Sequence, residues 1–489
     1  MPSNDLDLLI LIPGFYYLDD YQKLLYYYDI PVGTLQMVAF LKKTNNLEVE
    51  ILDLRNEEET YPQLNQDVPD GDKFDKGLEK LIEDNQLISQ GYTTIAINCY
   101  TSYQYKQTEL IAKFFKKRYP NNPIIVGGYH PSAKPEDFNY KDSPYDYIIQ
   151  GEAELPLKNF FDSRGFKPII QERPYIISSK ELVDINLLPF PDFALYLKRY
   201  PHPNRFKFSM YLSRGCPYQC AFCATNYTFR TVYQEKFYDD FNKLMKLTEK
   251  YNFNNPKISF SDQAFNCIPI RDKVLDFIIE NHLNETFTFS CQSRVEAFSH
   301  NNIDLIKKFR SCNMIIGYGL ESVNGILLKE MRKTSNRKNY IDAMKTIMEE
   351  YKKESGTYCR INILAGFPGE DHHTFMETVN FINDHGLHQN LQISPTLFSN
   401  YPNVHVYANM PYYRKKFGTE FLEEWWKFNS NSFINSIPIK PSKNYSLKDL
   451  LGDYKEEYLS ILKEFKFNTF SELVAWKQFF NKIYKSLDC

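Results

Sequence analysis

The sequence of 489 residues predicts an α/β protein with two parallel sheets and a small helical region. Short apolar runs alternate with segments of helical periodicity, first over roughly 150 residues and again beyond residue 206. Strands buried on both faces and joined by crossover helices are typical of parallel sheets. We therefore predict an N-terminal doubly wound parallel sheet (1–165), a linker (166–205), a central partial (β/α)6 barrel (206–402) and a small C-terminal helical cap (403–489).

The N-terminal sheet is predicted from five apolar runs separated by three helical segments. The first run, DLLILIP, is continuously apolar and ends in Pro-Gly, as a buried strand would. Ligands of doubly wound sheets bind at the carboxyl ends of the strands, so the residues that follow each run are candidates for binding. The predicted strands are 7–13, 47–54, 93–100, 123–130 and 145–152, and the helices lie around 34–43, 74–85 and 107–119.

The barrel is predicted from six further strand patterns, each ending in a loop with polar residues. A partial barrel of six β/α units is open on one side, which admits a substrate while the walls exclude water. Beyond residue 403 only helical patterns remain, and there Trp425 and Trp426 either line a substrate cavity or belong to a core. The predicted strands fall within 208–213, 257–262, 286–294, 313–322, 359–370 and 392–402, and the cap comprises 425–433, 447–465 and 470–487.

Composition narrows the class of function. A hydrophobic content of 43% and a charged content of 24% are ordinary for a globular protein. The net charge of −3 predicts no nucleic-acid partner, and no apolar run approaches the ~18 residues of a membrane span. The N-terminus lacks the basic start and cleavage site of a signal peptide. Nine cysteines, an odd number, fit a reducing cytoplasm rather than a disulfide framework.

The run SRGCPYQCAFC carries the most informative chemistry, because Cys216, Cys220 and Cys223 form a CxxxCxxC motif. Three thiolates on one loop can hold three irons of a [4Fe–4S] cluster and leave the fourth iron open to a small molecule. A zinc site would normally need a second CxxC pair, and the sequence has none. The motif therefore predicts an iron–sulfur centre whose three ligands, Cys216, Cys220 and Cys223, serve catalysis.

The cysteine loop follows an apolar strand and precedes a helix, and with this placement the sequence resembles the radical S-adenosylmethionine (SAM) superfamily. The resemblance implies that the methionine part of SAM chelates the open iron and that reduction cleaves SAM to a 5′-deoxyadenosyl radical. It also implies an electron donor such as flavodoxin or ferredoxin. Phe222 matches the family's aromatic position, whose backbone approaches the adenine.

Charged and small residues close the later barrel strands, where the family binds SAM. A guanidinium at Arg294 can pair with the methionine carboxylate, and Asp262 can accept from its ammonium group. The run GFPGE resembles a Gly-x-Pro-Gly-Glu turn of the family. For each charged residue alone, a surface ion pair or a helix cap is the alternative. The predicted SAM-binding residues are Phe222, Asp262, Gln263, Arg294, Glu321, Ser322 and Gly366.

Two loops of the N-terminal sheet, GGYHPSAKPEDF (127–138) and DYIIQGEAELPL (146–157), resemble those of the cobalamin-binding domain in one large radical SAM subfamily. LPFPDF (188–193) likewise matches the linker that precedes the subfamily's barrel. Adjacent glycines allow a bulky ligand to approach the backbone. The predicted cobalamin-binding residues are Gly14, Gly127, Gly128, Tyr129, His130, Gly151 and Glu152.

One motif departs from the cobalamin-binding pattern. Many such domains carry D-x-H-x-x-G, whose His ligates cobalt, whereas this sequence has DLRNEEE (53–59) after its second strand. His130 is either a metal ligand or a residue that hydrogen-bonds within its loop. The sequence therefore leaves open a domain that kept the fold and lost the cofactor.

The resemblance implies a radical SAM enzyme that uses cobalamin to methylate an unactivated carbon of a small-molecule or peptide substrate. Methylcobalamin would deliver the methyl group, and a second SAM would restore it. Two alternatives remain. One is a radical rearrangement, cyclisation or oxidation without methyl transfer. The other is a corrinoid or SAM sensor whose cluster is structural.

Overall fold

The structure is a computed structural model, and its contacts divide the chain into two compact units. The first unit contains residues up to 203 together with Glu424–Phe433, and the second contains most of the remainder. No helix in the described ranges is long and apolar enough to cross a membrane. The structure describes residues 6–15, 30–64, 71–87, 93–163, 172–178, 181–201, 207–225, 227–297, 303–352, 359–386, 391–428 and 432–458.

The first unit is a six-stranded parallel sheet with helices between its strands. In spatial order the strands are β2-β1-β3-β4-β5-β6, so that β1 pairs with both β2 and β3. All five residues of β1 are buried, as expected for a central strand covered on both faces. The strands are β1 (Leu8–Ile12), β2 (Val49–Asp53), β3 (Thr94–Asn98), β4 (Ile124–Gly127), β5 (Tyr147–Gln150) and β6 (Tyr175–Ser178).

Helices of the first unit connect these strands in the order that the sequence predicts. Buried apolar side chains such as Leu35 and Val38 cover the sheet from the first helix. The α-helices are Val32–Asn45, Leu54–Glu57, Gly71–Asp84, Tyr105–Arg118, Tyr129–Ala133, Glu154–Asp162 and Phe193–Arg199, and the short 3-10 helices are Pro62–Leu64, Ser102–Gln104, Pro135–Asp137 and Trp425–Lys427.

Three segments differ from the predicted boundaries of the first unit. Tyr175–Ser178, within the predicted linker, pairs with β5 as the sixth strand. The helix Phe193–Arg199, also in that range, is capped by Asp192 and buries Tyr196 in the same unit. Glu424–Phe433, predicted to belong to the cap, is grouped with the first unit. Local patterns identify such segments as strand or helix, but distant contacts decide where they pack.

The second unit contains a six-stranded parallel sheet in the spatial order β14-β13-β12-β11-β10-β7, which confirms the predicted partial barrel. A two-stranded pair, β8 (Ser213–Arg214) with β9 (Arg230–Thr231), brackets the cysteine loop. The barrel strands are β7 (Lys207–Met210), β10 (Lys257–Phe260), β11 (Thr288–Arg294), β12 (Ile315–Glu321), β13 (Cys359–Ala365) and β14 (Gln392–Leu397).

Alternate residues of the barrel strands face the surrounding helices. Phe260 packs against Phe237 of the first barrel helix, and Tyr318 packs against Tyr351 of a later one. The helices around the barrel are Gln234–Lys250, Arg271–Glu280, Ile303–Ser311, Gly325–Glu330, Arg337–Lys352 and His372–Asp384, and the 3-10 helices are Phe265–Cys267, Leu283–Glu285 and Val295–Ala297.

Apart from Glu424–Phe433, the described part of the predicted cap is helical and packs at the carboxyl end of the barrel strands. Val406, Met410 and Tyr413 form one buried cluster with Phe367 and Phe398, which follow β13 and β14. The predicted helix 470–487 and the last residues of the predicted helix 447–465, from 459 onward, lie outside the described residues. The α-helices here are His405–Ala408, Met410–Phe417, Ser432–Ser436 and Leu447–Asp453, followed by the π-helix Tyr454–Tyr458.

Candidate active site

The cysteine loop leaves β7 at its carboxyl end, and the surrounding chain holds it on several sides. Gly215 has a φ of +78°, and a Cβ at this position would lie only 2.4 Å from the Tyr227 carbonyl oxygen. The amide of Ala221 donates to the Met331 carbonyl over 2.8 Å, and the Ala221 carbonyl accepts from the amide of Val406. A positive φ and so close a backbone neighbour require glycine before the first cysteine.

The three motif thiols lie near one another in this loop. Cys220 is buried, and Cys216 and Cys223 are half-buried. Burial raises the pKa of the Cys216 thiol, and negative charge on the other two thiols would raise it further. In the described ranges no three His, Cys, Asp or Glu side chains are grouped as ligands of one metal ion. The donor set fits a cluster, because each cluster cysteine binds a different iron.

Arg294, at the end of β11, lies directly against this loop. Its Nη1 donates to Sγ of Cys220 over 3.0 Å, and its guanidinium carbon lies 3.9 Å from the centre of the Tyr218 ring. Nε donates to Glu296 over 2.7 Å, and Nη2 donates to the Lys333 carbonyl over 2.6 Å. Arg294 therefore reaches the predicted cluster site, with each of its three nitrogens already bonded to protein.

Lys333 and Glu321 form a buried ion pair beside the same loop. Nζ of Lys333 lies 3.1 Å from Oε1 of Glu321 and 5.9 Å from the centre of the Phe222 ring. Glu321 follows a register shift in β12 and has a φ of +59°, which is uncommon for a residue with a side chain. A Cβ on Gly319 would lie 2.6 Å from the Glu321 carboxylate, so glycine makes room for the pair. Sequence reasoning missed Lys333, because a lysine after a helix carries no distinctive pattern.

Asp262, which follows β10, faces the start of the cysteine loop. Its Oδ1 accepts from the amide of Leu212 over 3.0 Å and from the hydroxyl of Ser213 over 2.6 Å. Burial raises the pKa of Asp262 to about 7, although these hydrogen bonds oppose the shift. The carboxyl group thereby connects two neighbouring strand ends.

The remaining predicted SAM-binding residues occupy different surroundings. Gln263 is exposed and Phe222 is half-buried. The hydroxyl of Ser322 lies 3.3 Å from that of Thr378 on a barrel helix. Gly366 has a φ of +80°, and its amide donates to Glu370, whose pKa burial raises to about 8. Thus Arg294 and Glu321 lie together near the cysteine loop, whereas Ser322 contacts an outer helix.

Polar side chains occupy the face of the barrel sheet that is opposite the surrounding helices. The hydroxyl of Ser261 donates to that of Ser209 over 2.9 Å. Gln292 of β11 accepts from the Asn362 amide of β13 over 3.0 Å, across the intervening β12. A Cβ on Gly317 would lie 2.4 Å from Oε1 of Gln292, so glycine lets this bond form. This face of the sheet is polar.

The predicted cobalamin loops lie at the carboxyl edge of the first unit's sheet. Gly128 has a φ of +114°, and a Cβ there would lie 2.5 Å from the Cys99 carbonyl oxygen. Gly151 has a φ of +88° and is exposed, with no atom within 4 Å of such a Cβ. Tyr129 is 43% exposed, and Glu152 is half-buried. The amide of Gly14, which follows β1, donates to the side chain of Gln107.

His130 is buried beneath this edge with both ring nitrogens engaged. Nδ1 lies 2.6 Å from the Ser102 hydroxyl, and Nε2 lies 3.1 Å from Oδ2 of Asp137. Trp426 packs edge-on against the imidazole at 5.0 Å, and burial lowers the pKa of His130. In this arrangement His130 hydrogen-bonds within its unit and presents no free nitrogen to a metal.

Arg55 stands two residues after Asp53, where the D-x-H-x-x-G pattern would place its histidine. Its Nε donates to Oδ1 of Asp53 over 2.7 Å, and both side chains are buried. The hydroxyl of Tyr196 donates to Oδ2 of the same carboxylate over 2.7 Å, and that of Tyr200 donates to Glu57 over 2.9 Å. Sequence reasoning missed this network, because its partners are more than 140 positions apart.

Comparisons with known protein families identify two domains. The family model for the radical SAM superfamily matches residues 210–382, and that for the B12 binding domain matches residues 25–161. These ranges contain the cysteine loop and the GGYH loop respectively. The two domains imply SAM, a [4Fe–4S] cluster and cobalamin as cofactors. The first matched range begins inside β7, and the second spans most of the parallel sheet.

Curated relatives and one solved structure agree with the two matches. The chain is 21% identical to an uncharacterized methyltransferase, PH0819, of Pyrococcus horikoshii over 72% of each chain. It is 23% identical to the cobalamin-dependent radical SAM methyltransferase TokK of Streptomyces tokunonensis, over 61% of this chain and 46% of TokK. The fold resembles that of apo OxsB, a cobalamin-dependent S-adenosylmethionine radical enzyme, with a TM-score of 0.63 and 16% identity over 93% of this chain and 66% of OxsB. The chain therefore spans about half of TokK and two thirds of OxsB.

Proposed function

We propose that this radical SAM enzyme, which carries a B12 binding domain, transfers a methyl group to an unactivated carbon of a small-molecule or peptide substrate. One observation carries the proposal. Cys216, Cys220 and Cys223 share a loop at the carboxyl end of β7 in a chain that also has a B12 binding domain. The methyltransferase names of PH0819 and TokK support the same reaction class.

The chain's own residues prepare the cluster site. When bound, the cluster supplies the electron that cleaves SAM, and methylcobalamin supplies the methyl group. Asp262 holds the start of the cysteine loop through Leu212 and Ser213. Arg294 donates to Cys220, and Glu321 lies nearby in its ion pair with Lys333. When SAM binds, we expect its carboxylate to replace a present partner of Arg294 and its ammonium group to replace a present partner of Glu321.

The substrate is proposed to be polar where it meets the barrel. Ser209 and Ser261 contribute hydroxyls to the strand face opposite the helices, and Gln292 and Asn362 contribute amides. These groups already bond in pairs, and a polar substrate can satisfy the donors and acceptors that each pair leaves over, whereas an apolar substrate would bury them in a site that excludes water. We further propose a cytoplasmic enzyme that receives electrons from a donor of the flavodoxin or ferredoxin class.

A second candidate is a radical rearrangement, cyclisation or oxidation that does not use cobalamin. It is favoured by the cobalt-binding motif, in which Arg55 stands where a histidine would be. It is also favoured by His130, whose ring nitrogens are both engaged. Both candidates share the cysteine loop and SAM cleavage, so retention of corrin distinguishes them.

The experiment is anaerobic reconstitution of the full chain with iron, sulfide and hydroxocobalamin, followed by desalting. We expect a brown protein that retains near-stoichiometric corrin absorbance and releases 5′-deoxyadenosine from SAM when it is reduced. SAM cleavage without retained corrin would favour the second candidate. A full cluster without 5′-deoxyadenosine would favour a sensor.

Matched variants test whether the three motif cysteines hold the cluster. The triple variant C216A/C220A/C223A should lose iron, colour and SAM cleavage together. Cys312 and Cys359 are buried just before β12 and at the start of β13, at the strand ends opposite the loop, so C312A and C359A should keep wild-type iron content. A triple variant that retained the full cluster would contradict the assignment.

A further inference from the structure

Cys220 differs from the other two motif thiols in its charged surroundings. In the described part of the chain, the buried guanidinium of Arg294 donates to its Sγ over 3.0 Å. Cys223, by comparison, accepts from the backbone amide of Thr225 over 3.4 Å. Hydrogen bonds to a ligand sulfur are one of the means by which proteins adjust an iron–sulfur cluster.

Several contacts hold Arg294 in this position. The Tyr218 ring lies under its guanidinium, the Glu296 carboxylate accepts from Nε, and the Lys333 carbonyl accepts from Nη2. Arg294 is only 5% exposed, so water competes little for its donors. The bond from Nη1 to Cys220 is therefore set by the surrounding protein.

Lys333 brings a second positive charge to the same loop. Its Nζ lies 5.9 Å from the centre of the Phe222 ring, two residues from Cys220, and its carbonyl accepts from Nη2 of Arg294. Lys333 is 7% exposed and is paired with Glu321 at 3.1 Å. Two buried cations thus lie beside the loop that carries the predicted cluster, and each also pairs with a carboxylate, Arg294 with Glu296 and Lys333 with Glu321.

We propose that Arg294 and Lys333 are positioning residues that raise the reduction potential of the [4Fe–4S] cluster through Cys220. Reduction takes up one electron from the donor protein and moves no proton, so the cluster and its thiolates gain one negative charge. A buried cation or a hydrogen-bond donor at a ligand sulfur stabilises the more negative state. The inference rests on the proposed function only for the presence of the cluster.

The test is a redox titration of the reconstituted full chain, with the electron paramagnetic resonance signal of the reduced cluster as the readout. At the wild-type midpoint, half of the clusters are reduced. In R294Q and K333Q we expect the ratio of reduced to oxidised cluster at that potential to fall about tenfold, which is about 59 mV for a one-electron couple. R294K keeps the charge and should shift less than R294Q.

R360Q is the matched control. Arg360 is an exposed cation at the other end of a barrel strand, where it donates to Gln392. Its loss should leave the midpoint at the wild-type value. Unchanged midpoints in R294Q and K333Q with full iron content would overturn the proposal. Loss of the cluster from R294Q, R294K and K333Q alike would also overturn it. A wild-type chain that holds no cluster would instead refute the proposed function.

Discussion

Trp426 donates its indole N–H to Oδ2 of Asp137 over 2.8 Å, although the two residues are 289 positions apart. The same oxygen lies 3.1 Å from Nε2 of His130, and Nζ of Lys427 lies 2.6 Å from the other carboxylate oxygen. One buried carboxylate thereby binds Trp426 and Lys427 to the strand-end loops of the first unit. The helix Tyr129–Ala133, which begins in the GGYH loop, contacts the same carboxylate through His130.

We expect W426F to destabilise the first unit by about 1–2 kcal/mol, because the indole donor is lost while the aromatic ring remains. W426A should cost about 3–5 kcal/mol, since it also opens a cavity. Denaturant unfolding of the full chain measures both losses. Phe428 is exposed, so F428A should fall within about 0.5 kcal/mol of wild type.

The stability of the first unit should depend on pH through His130. Burial lowers the pKa of His130 below its ordinary value of 6.5, against the opposing pull of Asp137, so the folded state binds its proton less readily than the unfolded state. The stability that neutral His130 contributes is complete above pH 6.5. It is lost as the pH falls through 6.5 towards the pKa of His130 in the folded state. Unfolding midpoints recorded from about pH 5 to 8 should fall at the acid end for wild type. In H130Q that slope should be smaller, and an equal slope would show that other groups cause it.

Asp262 should matter to the cysteine loop as a hydrogen-bond acceptor rather than as a charge. Because burial raises its pKa to about 7, the neutral form is well populated at neutral pH. D262N keeps an acceptor oxygen for Leu212 and Ser213 and should retain iron close to the wild-type level. D262A leaves a buried amide and a hydroxyl without partners, a loss of about 1–3 kcal/mol, and should lower iron content. Iron analysis after identical reconstitution compares them, and equal iron in D262A would contradict this role.

SAM affinity is expected to depend on Arg294 and Glu321. R294A should weaken SAM binding by about 1.5–3 kcal/mol, as expected for a charge-assisted pair. E321A should weaken it as well, since its carboxylate lies in the buried pair beside Phe222. S322A is the control, because the Ser322 hydroxyl contacts Thr378 on an outer helix. Equilibrium binding to the reconstituted enzyme measures the three affinities. Unchanged affinity in both R294A and E321A would place the SAM site elsewhere.

Corrin retention should be sensitive to Gly128. G128A would force a Cβ to within 2.5 Å of the Cys99 carbonyl oxygen at a positive φ, so the GGYH loop must shift. We expect a loss of about 1–3 kcal/mol in stability, together with less retained corrin after desalting. Gly33 lies in a helix with no atom within 4 Å of an added Cβ, so G33A should retain as much corrin as wild type. Full corrin retention by G128A would argue against this loop as the binding edge.

The sequence alone determined the features that depend on local pattern. Strand and helix periodicity predicted both parallel sheets, because residues buried on both faces of a strand must be apolar wherever that strand lies. The spacing of Cys216, Cys220 and Cys223 predicted the cluster loop, since eight neighbouring residues contain the whole motif. Gly128 and Gly151, predicted from the sequence as cobalamin-binding residues, both have a positive φ in the structure.

Only the tertiary structure decided which distant side chains meet. It brought Arg294 to Cys220 and Lys333 to Arg294, turned the Asp262 carboxyl towards Leu212, and buried Trp426 beside His130. It also added Tyr175–Ser178 to the first sheet. The physical reason is that burial and hydrogen bonding depend on neighbours far along the chain. A lysine after a helix or a tryptophan beyond the barrel strands has the same local pattern wherever it finally packs.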